Sequence, residues 1–151
     1  QKNGKTNKMG LFSSNKKQII NAPQDMSPLE SVTHLFAAIQ IADQQASYEE
    51  KESWIGAISK LFPEHSSDRA ETFFNQAHSI LASQNSSEKQ DYLRSVLERI
   101  SSLLSKEKIH SLGPMIAHII EADGIVMTSE MEIVYIAEEI LGIKIKVDED
   151  E

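Results

Sequence analysis

The sequence predicts an all-α protein, a bundle of six to seven helices built from two similar halves. Three observations carry that expectation. Apolar residues recur at spacings of three and four through most of residues 28–141, the period of a helix with one buried face. The gaps between the stripes hold Ser, Asn and Asp in cap positions, with Pro and Gly at the stops. Residues 36–62 align with a later stretch at a constant offset of 80 residues: Ala42-Asp43 falls on Ala122-Asp123, Glu50 on Glu130, Glu52 on Glu132, Ala57 on Ala137 and Leu61 on Leu141. An internal repeat in a helical chain implies a repeated unit of structure.

In chain order, residues 1–22 form a basic leader with five lysines and no acid, rich in Asn, Gly and Ser, and are expected to be flexible. Met9-Gly10 reads as a natural start, which makes residues 1–8 an upstream addition. A Pro-containing approach at 22–27 leads to Ser27-Pro28-Leu29-Glu30, a helix start with a cap, Pro at the first helical position and Glu closing the capping box. That helix is expected to run to Asp43 with Val32, Leu35, Phe36, Ile39 and Ala42 inward. Ser47 and Glu50 have capping-box spacing and open a second helix with an inner face of Trp54, Ile55, Ile58, Leu61 and Phe62, stopped by Pro63. Ser66-Ser67-Asp68 starts a third, with Ala70, Phe73, Phe74, Ala77, Ile80 and Leu81 inward. Ser87 with Gln90 is read as capping a fourth, in which Leu93, Val96, Leu97, Ile100, Leu103 and Leu104 recur in register.

Lys106 onward reads as helical again, and Gly113-Pro114 either kinks this piece into the next or separates the two. Met115, Ile116, Ile119 and Ile120 form one stripe; Ile133, Val134, Ala137, Ile140 and Leu141 form the next, capped by Thr128 or Ser129, the latter at capping-box spacing from Glu132. Gly142 is the expected C-cap. Ile143, Ile145 and Val147 alternate with lysines, as in a short extended segment. Residues 148–151 are an acidic tail, so the folded domain spans 23–147.

Composition excludes several classes of function. There are no cysteines, hence no disulfide, thiolate metal site or cysteine nucleophile, which fits a cytoplasmic location. No apolar run approaches membrane-spanning length. The chain carries a formal charge of -8, and the part after the leader carries -13, which argues against nucleic acid as a partner. The leader, with Leu11, Phe12, Ile19 and Ile20 beside Lys16 and Lys17, offers peripheral contact with an anionic membrane surface or docking onto its own domain. No Gly-rich phosphate loop or nucleophile-elbow serine is present, and His34, His65, His78 and His110 are scattered over different elements.

The acidic bend at residues 122–130, Ala-Asp-Gly-Ile-Val-Met-Thr-Ser-Glu, is the sharpest motif. Gly124 suits the left-handed position after a helix end. Asp123 and Glu130 flank the bend, with Glu121 just before it. Carboxylates with loop carbonyls suit a hard divalent cation such as Ca²⁺, Mg²⁺ or Mn²⁺, although seven residues of separation do not match the twelve-residue EF-hand loop. The competing reading makes Asp123 a hydrogen-bond acceptor for loop amides and Glu130 a partner of the positive helix end. His118 and Glu121 stand one turn apart, as a metal pair or as a packed histidine beside a solvated acid. A hydrolase using Glu130 and His118 requires the two to meet in a pocket. Asp43 and Glu50 are the counterparts in the first copy, where Gln44 stands in place of Gly124 and puts a second cation site in doubt.

Ala122, Asp123, Gly124, Val126 and Glu130, set between two amphipathic helices, resemble the signature of the TerB-like family of bacterial tellurite-resistance and stress-response domains, which also occur fused to a membrane-anchored J-domain co-chaperone. The resemblance implies an all-helical fold of two related halves, metal binding by the acidic bend residues, and a protein partner rather than an enzymatic reaction.

Overall fold

The computed structural model describes residues 21–42, 51–121 and 126–147. Among them the chain forms a short 3₁₀ turn, Pro23–Asp25, and six α-helices: α1 Pro28–Ala42, α2 Lys51–Leu61, α3 Ser67–Ala82, α4 Ser86–Leu103, α5 Lys106–Glu121 and α6 Thr128–Leu141. No described residue is in a strand. The expected behaviour of the leader before Asn21, the capping box of Ser47 with Glu50, and the acidic tail lie outside the described residues.

The packing makes α1 the central element, because it touches all five other helices. Val32, Leu35, Phe36 and Ile39 of its expected stripe are buried and Ala42 is half-buried; most of the face that periodicity assigned to solvent is buried too, with Glu30, Ser31, Thr33 and His34 all inside. Helices α3 and α4 lie over that face. The interior joins Val32, Leu35 and Phe36 of α1 to Trp54 and Ile58 of α2, Leu97 and Ile100 of α4, Leu112, Ile116 and Ile120 of α5, and Val134 and Ala137 of α6. Trp54 stacks face to face on Phe74 of α3, with ring centroids 4.2 Å apart.

The two halves keep the 80-residue register in three dimensions. Leu29, Val32, Phe36, Ala37 and Ile39 of α1 are buried, and so are their counterparts Ile109, Leu112, Ile116, Ala117 and Ile119 of α5. Helix α2 ends at Leu61 and α6 at Leu141. Helix α2 packs on α5, and α6 packs on α1, as an exchange of halves requires.

Local chemistry sets the helix boundaries. The Ser27–Glu30 capping box forms as expected, with the Glu30 amide donating to Ser27 Oγ at 3.1 Å and the Ser27 amide donating to Glu30 Oε1 at 3.4 Å. Helix α4 starts two residues earlier than a cap at Ser87 would place it. Asn85 is its cap, accepting from the Glu88 amide at 2.8 Å while Glu88 accepts from the Asn85 amide at 2.9 Å. Asn is at the top of the N-cap ranking and Glu completes a charged box, so this pair outcompetes Ser87 with Gln90. Asn85→Ala is expected to lower stability by about 1 kcal/mol, read from urea-induced unfolding.

Helix α5 runs unbroken through Gly113-Pro114, resolving that ambiguity in favour of one continuous helix. Gly113 is there for clearance: a Cβ would lie 3.3 Å from the Lys144 carbonyl oxygen, where residues 143–147 cross the helix. This segment alternates as expected, Ile143 and Ile145 inward and Lys144 and Lys146 outward. It pairs with no strand; the Ile145 amide donates instead to the Glu138 carboxylate at 2.8 Å. Gly142 adopts φ +71° and ends α6 in the left-handed conformation.

Candidate functional site

The acidic bend joins α5 to α6, and the corresponding bend of the first copy joins α1 to α2. Asp123 and Gly124, together with Asp43 and Glu50, lie outside the described residues. The flanking residues show how the ends are arranged. Ser129 donates its hydroxyl to the Ala42 carbonyl at 2.9 Å, across 87 residues of chain. One bond therefore ties the residue before the first acidic connection to the start of the helix after the second. The C-terminal end of α1 and the N-terminal start of α6 lie side by side.

The start of α6 differs from the expected one. Met127, not Ser129, holds the N-cap position, and no Ser129–Glu132 box forms. A Met side chain has no oxygen to offer, so only the returning half of a box exists: the Met127 amide donates to Glu130 Oε1 at 2.9 Å. Glu130 is fully buried at this helix start. That is the position in which a carboxylate is favoured by the helix dipole and by exposed amides. Glu121 is the half-buried last residue of α5. Beside the bends runs a cleft of about 250 Å³ between α1, α4 and α6, with Ile41, Leu93, Ile133 and Ile136 on its walls and Lys89 and Glu132 at its edge.

The structure does not bring Glu130 and His118 together: Glu130 is interior, whereas His118 is on the outward face of α5. Among the described residues no group of three or more His, Asp and Glu side chains converges as a metal site would require.

A second polar constellation was not singled out from sequence. His34 is 1% exposed, and its Nδ1 shares a hydrogen bond of 2.7 Å with the Tyr92 hydroxyl from α4. Burial pushes the His34 pKa from 6.5 down to about 4. Burial, and secondarily the Glu30 charge, raise that of Tyr92. Glu30 precedes His34 by one helical turn and is 2% exposed. Its Oε1 accepts from Asn21 Nδ2 at 3.0 Å. The only sequence signal for this group is the i, i+4 spacing of Glu30 and His34, which is indistinguishable from a solvated helix face.

The class these observations define is a six-helix, all-α bundle with two related helical hairpins. No protein-family model matches the chain, and no curated protein or solved structure matches it.

Proposed function

We propose that the protein is a non-enzymatic, TerB-like stress-associated domain of bacterial tellurite-resistance type. In this reading its paired acidic bends hold a divalent cation, a protein partner, or both. The observation that supports it is the Ser129–Ala42 hydrogen bond, which joins the end of α1, where the first acidic stretch begins, to the start of α6, where the second ends. Asp123, Glu121 and Glu130 then supply oxygen ligands from the second copy, and Asp43 and Glu50 from the first. Hard carboxylate oxygens suit Ca²⁺, Mg²⁺ or Mn²⁺. A basic partner is drawn by the same charge, since the chain beyond the leader carries a formal -13. The reading places the domain in the cytoplasm, with peripheral membrane contact through the lysines of the leader. No helix among the described residues is long and apolar enough to cross a membrane.

Calorimetric titration with Ca²⁺, Mg²⁺, Mn²⁺ and Zn²⁺ tests the cation. Wild type is expected to bind one of the hard cations, and Asp123→Ala to weaken that binding at least about tenfold, the loss of one charged ligand. No heat with any ion removes the cation from the proposal.

A second reading, favoured by the bond from the Met127 amide to Glu130, makes the bend a capping device in a structural interaction module. In that case Asp123→Ala lowers the melting temperature equally with and without added metal. Co-purification under metal or oxidative stress then identifies the partner.

A further inference from the structure

The cleft between α1, α4 and α6 is walled by Ala38 and Ile41 of α1, Leu81 of α3, Leu93 of α4, and Ile133 and Ile136 of α6. Ala38, Ile41 and Ile136 are only half-buried, so an apolar surface shared by four helices stands open. Its volume of about 250 Å³ exceeds the roughly 150 Å³ in which an apolar cavity holds a benzene ring, which leaves room for a phenyl side chain. An open apolar surface with a polar rim, here Lys89, Gln90, Ser129 and Glu132, is the form of a docking site.

The charge around the cleft selects a basic occupant. Helix α6 carries Glu130, Glu132, Glu138 and Glu139 and no basic residue. On α4, Lys89, Arg94 and Arg99 are balanced by Glu88, Asp91 and Glu98. Helices α1 and α3 each carry one acid in excess. The stretch of this chain with the opposite sign is the leader, which holds five lysines and no acid. Its pair Leu11-Phe12 stands between Lys8 and Lys16-Lys17.

Chain length decides which leader residues reach the cleft. The Asn21 side chain bonds to Glu30, which fixes the base of the leader near the first turn of α1. From Glu30 to the stretch between Ala38 and Ala42 is about 12–18 Å along the helix, and crossing one neighbouring helix adds about 10 Å. The nine residues from Asn21 back to Phe12 span up to about 30 Å, which suffices. Ile19 and Ile20 reach no further than about 7 Å and cannot enter. A tether of this length supplies an effective concentration of the order of 1 mM, so a contact too weak to form between separate molecules is occupied within one.

We propose that Leu11 and Phe12 of the chain's own leader dock in this cleft, with Phe12 against Ile41 and Ile136 and the leader lysines facing the glutamates of α6. The docking does not depend on whether the acidic bends hold a cation.

The test is paramagnetic broadening by NMR on the full chain. The protein has no cysteine, so Ser14→Cys accepts a nitroxide label at a single place beside Phe12. In the ¹⁵N-labelled chain the label is expected to broaden the amide signals of Ile41, Leu93 and Ile133 and to leave those of Phe62 and Lys108 sharp. Phe12→Ser is expected to abolish this broadening. Glu132→Lys, at an exposed position where folding is insensitive, is expected to weaken it. When the nitroxide is carried only by unlabelled molecules mixed with ¹⁵N-labelled ones, no broadening is expected. Broadening in that mixture assigns the cleft to the leader of a second copy and overturns docking within one chain. Broadening confined to the neighbours of Asn21, broadening spread evenly over the surface, or an unchanged pattern in Phe12→Ser also overturns the proposal.

Discussion

Trp54→Ala is expected to lower the free energy of unfolding by about 4 kcal/mol, the range for deleting a large, fully enclosed aromatic side chain. Trp54 is 1% exposed. It fills the space between α2 and the rest of the core, and its ring lies within 6° of parallel to Phe74. Truncation therefore removes both the buried area and the stacking contact, and leaves a void that rigid helices on three sides cannot close. Since domains of this size are stable by only about 5–15 kcal/mol, the variant is expected near the edge of folding at 37 °C. Urea-induced unfolding checks this, with an unchanged slope and a lowered midpoint as the expected pattern. Leu103→Ala, at an exposed position on α4, serves as the control and is expected to change stability by less than about 1 kcal/mol.

Acidification is expected to destabilise the protein by about 3 kcal/mol through His34 alone. In the unfolded chain this histidine takes up its proton near pH 6.5; in the folded protein burial delays protonation to about pH 4. Between those values the unfolded state binds more protons than the native state, so stability falls as pH falls through the window and levels off below about 4. The surroundings offer no compensation for a charged ring, since Nε2 is buried and accepts or donates no hydrogen bond. His34→Phe removes the titration. Its unfolding free energy is expected to vary about 3 kcal/mol less than that of wild type between pH 7 and pH 4, although it also gives up the bond to Tyr92. A variant with the same pH slope as wild type would assign the acid sensitivity to other groups.

The sequence by itself determined the class of fold and most helix boundaries, because those depend on neighbours within one or two turns. The stripes of α2, α4, α5 and α6 lie inward where their periodicity put them, except that Leu103, expected inward, is 36% exposed in the last turn of α4. Pro63 and Gly142 stop their helices through backbone geometry alone. The register between halves was legible for the same reason: Ala57 with Ala137 and Leu61 with Leu141 are matched in sequence and both pairs are buried. The cap positions of α4 and α6 differ from the expected Ser87 and Ser129 by two residues each. Asn85 prevailed over Ser87 by its own capping strength, whereas α6 begins at Thr128, so that Ser129 lies inside the helix and its hydroxyl donates to a carbonyl 87 residues away.

What only the tertiary structure decided is the role of α1. Its polar residues mark a solvent face to any period-based reading, yet Glu30, Ser31, Thr33 and His34 are interior. A helix covered from several sides can keep such residues when they bond to its own carbonyls or to a distant partner. Ser31 and Thr33 donate to Pro28 and Leu29, and His34 meets Tyr92 from 58 residues along the chain. Helical periodicity reports how one segment divides its faces; which faces are then covered is fixed by helices that approach from elsewhere in the chain.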